Sequence, residues 1–229
     1  MVAVIGDVHG CFYTLTNLIE KIEEEFPETG IYLVGDLVDR GKYSCEVMDF
    51  IEEKKFKFTI GNHEYMFLNY FRNPSSFWKE AWFNNGAEAT LKSYENRFTR
   101  IDNHLKLLDE ATLFYNLDDC FISHAGISQF YSNIIKDEII NDKEKLNEIL
   151  SNDLLEDFGV LWCRGSLMNI GKLQVVGHTR MYEPKYVKEK NVLYIDTGAI
   201  GGNKLSAAII ENNNIIKFIS VPTNKGDIY

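Results

Sequence analysis

What this sequence lacks narrows the classes of protein to which it can belong. No apolar stretch approaches the length of a membrane span. Only four apolar residues separate Met1 from Gly6, too few for the core of a secretory signal, so we expect the fold to begin at residue 1. The four cysteines lie far apart and form no CxxC pair, which predicts reduced thiols in a cytoplasmic protein.

The balance of charge excludes further classes of partner. The formal net charge is −10 at pH 7, which argues against nucleic acid or an anionic membrane surface, because both require a basic face. A small anionic substrate remains open, provided that its site carries local positive charge. The 229 residues, of which 45% are hydrophobic, suffice for one domain with a sizeable core.

Short apolar runs recur along the chain and predict the strands of an α/β fold. Each run has the length and β-branched content of a strand and stops at a turn residue. The runs cover 2–5, 31–34, 56–60, 120–123, 173–176 and 192–195. Because they are apolar almost throughout, we expect helices to cover both faces of the sheets. Leu15, Leu18, Ile19 and Ile22 share one helical face between the first two runs, so strand and helix alternate as in a layered α/β domain.

The sequence predicts a single domain over residues 1–229, with a helical insertion at about 64–118. The insertion is rich in aromatic residues at helical spacing, which we interpret as packing residues rather than as a cofactor site. A second charged and helical stretch follows at 131–157. The asparagine-rich segment 211–214 separates two apolar runs, which predicts a closing β-hairpin.

Polar residues follow most of the predicted strands, and ligands of α/β proteins bind at these carboxyl ends. Four of the five histidines lie there close to a glycine, and only His104 lies elsewhere. A single Gly-Asp after a strand is usually a turn, but the same context in several loops predicts one shared site. The candidate residues are Asp7, His9, Asp36, Asp39, Asn62, His63, His124 and His178.

Mixed imidazole and carboxylate groups predict a metal centre. Such a set suits manganese, iron or zinc better than calcium or magnesium, and it exceeds what one tetrahedral site needs. Two divalent ions that share a bridging carboxylate would use the whole set. Such a pair generates hydroxide near neutral pH and clamps both oxygens of an in-line displacement. We expect manganese to be the best activator in vitro, with iron, zinc, nickel or cobalt as alternatives.

Five motifs carry a resemblance to a known family; in chain order they are GDVHG, GDLVDRG, GNHE, HAG and GHT. This series resembles the phosphoprotein phosphatase (PPP) branch of the calcineurin-like metallophosphoesterases, particularly the short bacterial and phage serine/threonine phosphatases. The segments WFNNGAEATLKSY, LWCRGS and IDTGAIGG match secondary motifs of that group. The resemblance implies the layered metallophosphoesterase fold, with central β-sheets flanked by helices.

The resemblance also implies which residues hold the two ions. The first ion would be held by Asp7, His9 and Asp36. The second ion would be held by Asp36 again, together with Asn62, His124 and His178. Asp36 is therefore the expected bridge between the two ions.

The remaining site residues have implied roles in catalysis and substrate binding. His63 resembles the general acid of the family, oriented by Asp39, and an imidazolium beside a carboxylate can protonate an alkoxide leaving group. Arg40 and Arg164 match positions that hold phosphoryl oxygens, for which the planar guanidinium is suited. Asp196 is either a partner of a ligand or a turn residue, and we leave it outside the site.

The residue before GNHE bears on the substrate. Strongly active phosphoprotein phosphatases often have arginine there, whereas relatives that split diadenosine tetraphosphate symmetrically commonly have an apolar residue, as here with Ile60. The VDRG motif and the short chain favour the phosphatases. We therefore expect a metal-dependent phosphomonoester hydrolase acting on phosphoserine or phosphothreonine in proteins. Symmetrical diadenosine tetraphosphate hydrolysis is the alternative. It is disfavoured because a tetraphosphate chain needs further cationic contacts, and Arg40 and Arg164 are the only cations in the motifs. A non-catalytic scaffold is disfavoured by the complete ligand set.

Overall fold

Ten strands form two five-stranded mixed sheets in the computed structural model, which describes residues 1–229. The first sheet has the order β10-β9-β1-β2-β3 and contains β1 (Val2–Ile5), β2 (Gly30–Leu33), β3 (Lys57–Phe58), β9 (Lys204–Glu211) and β10 (Asn214–Pro222). The second has the order β4-β5-β6-β8-β7 and contains β4 (Phe114–Asn116), β5 (Phe121–Ser123), β6 (Gln174–Val176), β7 (Lys185–Val187) and β8 (Val192–Tyr194). In each sheet three neighbouring strands run parallel, so several strand ends face the same rim.

Eight α-helices connect and cover these sheets. They are α1 (Phe12–Glu25), α2 (Ser44–Lys54), α3 (Asn62–Arg72), α4 (Ser76–Phe83), α5 (Ala87–Ser93), α6 (Thr99–Asp109), α7 (Asp137–Ile140) and α8 (Lys143–Ser151). Short 3₁₀ turns occur at Gln129–Asn133, Lys188–Lys190 and Ala199–Gly201. None of the helices combines the length and the apolar character that crossing a bilayer requires.

The two sheets pack against each other, and β1 shows how. Ala3 and Ile5 belong to a core that also contains Leu15 of α1. Val4, on the opposite face of the strand, belongs to a core that also contains Val175 of β6. The expectation that helices cover both faces is therefore wrong for the inner face, which the other sheet covers. A continuous apolar strand indicates that both faces are buried, but it does not indicate what buries them.

The predicted strands are all present, with boundaries shifted by one or two residues. The layered α/β architecture is therefore confirmed, and the predicted hairpin is formed by β9 and β10. The sequence did not indicate β4 and β7, which are edge strands of three residues each. Lys185 and Tyr186 of β7 are exposed, so this strand has no apolar pattern from which it could be predicted.

Four helices, α3 to α6, occupy the segment between β3 and β4. They span residues 62–109, and β4 takes up part of the range 64–118 in which we expected an insertion. Most of the aromatic residues pack as expected, and Trp82 is buried and stacks on Phe67, with 5.2 Å between ring centroids, whereas Phe77 is exposed. The stretch 131–157 is less regular than expected and contains the end of a 3₁₀ turn and the short helices α7 and α8.

Candidate active site

The loops that follow β1, β2, β3, β5 and β6 meet at one rim and enclose a cavity of about 180 Å³, here called the central cavity. Asp39 and His124 lie directly behind its wall and are fully buried. The other predicted site residues line the cavity: Asp7, His9, Asp36, Arg40, Asn62, His63, Arg164 and His178. The fold thus brings together every residue that the sequence singled out.

His9 presents a lone pair to this cavity. Its Nδ1–H donates to the carbonyl oxygen of Val38 at 3.0 Å, which leaves Nε2 as the acceptor. Nε2 lies 3.5 Å from Oδ2 of Asp36 and accepts a hydrogen bond from Nη1 of Arg40 at 2.9 Å. Burial lowers the pKa of His9 to about 3, so the ring is neutral and its nitrogen is available as a ligand.

A second group of acceptors surrounds Nε2 of His124. The Nδ1–H of His124 donates to the carbonyl oxygen of Val34 at 2.9 Å, so Nε2 again carries a lone pair. It lies 2.9 Å from Oδ1 of Asn62, 3.2 Å from Nδ1 of His178 and 3.4 Å from Oδ1 of Asp36. Acceptor atoms that converge in this way are satisfied together by a cation placed among them.

Asp36 belongs to both groups. Burial raises the pKa of Asp36, but the four histidines around it lower this pKa by a larger amount. The net pKa lies well below the usual range of a carboxyl group, so Asp36 is ionised. At this cavity, the side chains that can hold a metal form two groups that share Asp36. These groups are His9, Asp36 and His63, and Asp36, His124 and His178.

The chemistry of these donors fits two divalent ions. Burial, and then the neighbouring carboxylates of Asp196 and Asp36, raise the pKa of Asp7. The Nε2 atoms of His63 and His178 are buried and have no hydrogen-bond partner. Crowded buried carboxylates beside unpaired imidazole nitrogens are unfavourable unless a cation compensates them. Asp7, expected as a ligand of the first ion, accepts the backbone N–H of His178 through both oxygens, at 3.2 and 3.0 Å.

His63 is paired with Asp39. Its Nδ1 lies 2.7 Å from Oδ2 of Asp39, whose oxygens also accept the indole N–H of Trp82 and the hydroxyl of Thr90, the latter at 2.6 Å. Burial lowers the pKa of His63, but the carboxylates of Asp36 and Asp39 outweigh it, and the net pKa is raised. The arrangement can supply a proton to the cavity. Sequence reasoning missed Trp82 and Thr90, although both lie within the quoted segment WFNNGAEATLKSY.

Several site residues adopt left-handed backbone conformations that side chains other than glycine rarely take. The φ angles are 46° at His9, 50° at Asp36, 71° at Asp39 and Arg40, and 58° at His178. Each such residue stores on the order of 1–3 kcal/mol of strain, which the surrounding structure must offset. Backbone strain at these loops is therefore concentrated on the residues that form the site.

Glu64 compensates part of that strain, and sequence reasoning did not identify it. Its buried carboxylate accepts four backbone N–H groups, from Asp36 and Leu37 at 2.7 Å, Gly61 at 3.0 Å and Val38 at 3.1 Å. These bonds tie the loop after β2 to the start of α3. Glycine at 61 is required here, because a Cβ would lie 2.3 Å from Oδ1 of Asp36.

Three arginines line the central cavity, one more than the sequence indicated. Arg40 and Arg164 were expected, and Nη1 of Arg164 donates to the carbonyl oxygen of His178 at 3.1 Å. Arg180 is the third. A Cβ at Gly198 would lie only 2.2 Å from its Nε, so the glycines of IDTGAIGG leave the space that this guanidinium occupies. Its position directly after GHT was the signal that could have revealed it.

Two further expectations concern residues outside the cavity. Ile60 is buried in the second core, with Leu113 and Phe114, and does not line the cavity. His104, which we excluded from the site, lies in α6 near Cys45 and Asp49, a third group with metal-ligand chemistry. The carboxylate of Asp49 is paired there with Arg97, which lies between α5 and α6, and with Arg100 of α6, so this group is an ion-pair network.

Comparisons with known proteins agree with this geometry. The sequence model of the family described as calcineurin-like phosphoesterase matches residues 1–215. A bis(5'-nucleosyl)-tetraphosphatase PrpE [asymmetrical] of Bacillus cereus is 26% identical over 96% of this chain and 94% of its own length. Two solved structures share the fold: a putative diadenosine tetraphosphatase (TM-score 0.64, 21% identity, 98% of this chain and 94% of that chain) and a cold-active protein-tyrosine phosphatase of a psychrophilic Shewanella species (TM-score 0.63, 20% identity, 97% and 80%). The layered metallophosphoesterase architecture expected from the motifs is thereby confirmed.

Proposed function

Because the chain belongs to the calcineurin-like phosphoesterase family, we propose that it is a two-metal hydrolase of the phosphoanhydride chain of dinucleoside polyphosphates. The observation that carries this proposal is the presence of Arg40, Arg164 and Arg180 around one cavity. Sequence reasoning ranked dinucleoside polyphosphate hydrolysis, in its symmetrical form, second because of the VDRG motif, the short chain and the presence of only two motif-borne cations. A third guanidinium supplies the additional charged contact that a tetraphosphate chain requires.

The name of the Bacillus cereus relative supports the same substrate class. That protein is an asymmetrical bis(5'-nucleosyl)-tetraphosphatase and aligns with nearly the whole of this chain. By analogy, the expected products of diadenosine tetraphosphate are ATP and AMP. Two molecules of ADP would instead indicate the symmetrical reaction that the sequence analysis named as the alternative.

Two divalent ions would be held by the residues that the sequence analysis assigned. The first would bind Asp7, His9 and Asp36, and the second would bind Asp36, Asn62, His124 and His178. When bound, the ions supply an activated water as nucleophile and neutralise charge on the phosphoryl group under attack. The protein holds the ligating nitrogens in the correct tautomer through the Nδ1–H bonds of His9 and His124 to backbone carbonyl oxygens.

The residues of the chain itself would carry out the remaining steps. Arg40, Arg164 and Arg180 would bind phosphate oxygens and orient the chain for attack. His63, with its raised pKa, would donate its proton to the departing oxygen, and Asp39 would hold the ring in place. Asp36 and Arg40, both in left-handed conformations, line the cavity with their side chains.

Hydrolysis of phosphoserine or phosphothreonine in proteins is the second candidate function. The pairing of His63 with Asp39 is the observation that favours it. An alkoxide leaving group is a much stronger base than a nucleotide phosphate, so it depends more heavily on a proton donor. A buried imidazole supported by a carboxylate is the group that such a substrate needs.

A substrate panel tests the proposal. The manganese-loaded protein, Arg180→Ala and the control Arg72→Ala are assayed on diadenosine tetraphosphate and on a phosphoserine peptide. Arg72 is an exposed arginine of α3 paired with Asp109, away from the central cavity. We expect the wild type to prefer the dinucleotide in kcat/KM, and Arg180→Ala to reduce that value by about tenfold to a hundredfold, as loss of one charge-assisted contact predicts.

The two candidate functions give different results in this panel. A preference for the phosphopeptide, with Arg180→Ala behaving like Arg72→Ala, would reject the dinucleoside polyphosphate proposal in favour of the protein phosphatase. Arg164→Ala should lower kcat/KM on both substrates, because a contact close to the reacting phosphorus is lost in either case.

A further inference from the structure

A second cavity, of about 390 Å³, borders the central cavity, and we call it the Tyr229 pocket. Arg40 lines both cavities, so the two are neighbours across a single side chain. The pocket also contains Phe83 from the end of α4, Glu88 and Lys92 from α5, and Tyr229. Its volume is within the range of pockets that bind small organic ligands.

The lining of the Tyr229 pocket combines aromatic rings with positive charge. The ring of Tyr229 lies under two ammonium groups, with Nζ of Lys92 5.1 Å and Nζ of Lys42 5.5 Å from the ring centroid. Cation–π contacts of this kind hold the ring in place. Phe83 provides the second aromatic surface. Flat aromatic groups are the partners on which nucleobases stack.

The C-terminal segment that carries Tyr229 is anchored at Asp227, two residues before the tyrosine. The carboxylate of Asp227 is buried and accepts the backbone N–H groups of Tyr13 and Thr14, at 3.0 and 2.8 Å, at the start of α1. The carbonyl oxygen of Asp227 accepts the N–H of Lys42 at 2.9 Å. These bonds connect the segment to the first turn of α1, which follows the loop of Asp7 and His9, and to the loop before α2, which carries Asp39 and Arg40.

We propose that the Tyr229 pocket binds one nucleoside of the substrate, with its base against Tyr229 and Phe83. This assignment rests on the proposed function. Arg40 and Lys92 bind the polyphosphate where it leaves the central cavity. The carboxylate of Glu88 distinguishes the pocket from a simple phosphate site, because it repels phosphate but accepts a hydrogen bond from the exocyclic amine of a base.

A larger cavity of about 530 Å³ on another side of the central cavity is the competing location. It shares Trp162 and Arg164 with the central cavity and also contains Phe158. Its charged residues are one arginine, Arg164, and one acid, Asp157. The Tyr229 pocket is lined by two cations, Arg40 and Lys92, against one acid, Glu88, and has Lys42 beside its aromatic wall, so it is the better match for a base that carries several phosphates.

Calorimetric titration of the manganese-loaded protein tests the assignment. The probes are α,β-methylene-ADP and methylenediphosphonate, which share the methylene-bridged bisphosphonate and differ only in the nucleoside. We expect the wild type to bind the nucleotide about tenfold more tightly than methylenediphosphonate, as stacking of one base predicts. Tyr229→Ala and Phe83→Leu should each remove most of this advantage and change the affinity for methylenediphosphonate by less than about twofold. Tyr186→Ala, an exposed tyrosine of β7, is the matched control and should behave as the wild type.

Two results would overturn the assignment of the nucleoside to the Tyr229 pocket, and one would support it independently of the proposed function. Equal affinity of the wild type for the two probes would overturn the proposal, as would loss of the nucleotide advantage in Phe158→Ala instead of Tyr229→Ala. A third result separates the pocket from the reaction. If the wild type fails to cleave diadenosine tetraphosphate but Tyr229→Ala still loses the nucleotide advantage, the proposed function is wrong and the nucleoside pocket stands.

Discussion

The Nδ1–H of His63 donates to Oδ2 of Asp39 at 2.7 Å, and both residues are almost completely buried. The bond directs the other ring nitrogen of His63 away from Asp39, and that nitrogen is buried without a partner. An imidazole in this position is oriented for proton transfer without being exposed to bulk water.

His63→Asn should leave the metal content near two ions and lower turnover of an alkyl phosphate by about 10²–10⁴. Asp36→Asn should instead reduce the metal content, because Asp36 belongs to both groups of ligating side chains. Elemental analysis of the two purified variants, together with turnover, measures both effects. If His63→Asn lost metal while Asp36→Asn kept its full metal content, the roles assigned to these two residues would be wrong.

Activity should depend on added divalent metal, with manganese as the best activator. The ligand set combines imidazoles with carboxylates, and such sites bind manganese only moderately, so a chelator should remove it. The measurement compares chelator-treated protein before and after addition of manganese. Undiminished turnover in protein shown by elemental analysis to be metal-free would exclude the two-metal mechanism.

Trp82→Phe should lower turnover and reduce the free energy of unfolding by about 1–3 kcal/mol. The substitution keeps an aromatic ring in the core but removes the N–H that both oxygens of Asp39 accept, at 2.9 and 3.0 Å. Trp78→Phe, in the same helix, is the control, because its indole packs on Tyr65. Urea unfolding and initial rates should separate the two variants, and equal behaviour would show that the Asp39 contact has no effect.

Glu64→Gln should reduce the free energy of unfolding by about 3 kcal/mol, because four backbone donors face this carboxylate and an amide nitrogen cannot accept from them. The affinity for manganese should fall as well, since the loop that carries Asp36 is no longer held. Glu53→Gln, an exposed residue of α2, provides the control. A variant as stable as this control would show that the four bonds do not support the loop.

The stability of the fold should depend on pH through His104. Burial lowers the pKa of this residue, and the neutral ring accepts from the hydroxyl of Tyr94 at 2.6 Å while its Nε2–H donates to Asp49 at 3.1 Å. The folded state therefore binds a proton less readily than the unfolded state. The contribution is complete above the unfolded pKa of about 6.5 and is lost as the pH falls toward the folded value.

Urea unfolding of the wild type and of His104→Gln at several pH values measures this contribution. Between about pH 7 and about pH 5, the wild type should lose stability more steeply, by at most about 1.4 kcal/mol per pH unit. Parallel curves would show that His104 does not contribute. Both proteins have the same metal site, so the contributions of the other buried histidines to the pH dependence of stability cancel in the comparison.

Much of the site could be predicted from the sequence, because the groups concerned lie at fixed places in short local patterns. When a strand ends in Gly-Asp or Gly-Asn-His, the local sequence alone identifies the polar residues at its carboxyl end. This identification does not depend on the rest of the fold. For this reason the sequence alone predicts Asp7, Asp36, His63 and His178 as site residues. The strands themselves were also visible, since an apolar β-branched run stopped by a glycine is a local signal.

Other features depend on contacts between distant parts of the chain, and only the tertiary structure decided them. Glu64 supports the loop of Asp36 from 28 residues away, Arg180 enters the cavity beside Gly198, and Tyr229 forms a pocket wall through contacts with Lys42 and Lys92. No local pattern records such pairings. The inner faces of the sheets follow the same rule: a strand's sequence shows that both of its faces are buried, whereas the packing of the whole chain determines whether a helix or a second sheet buries them.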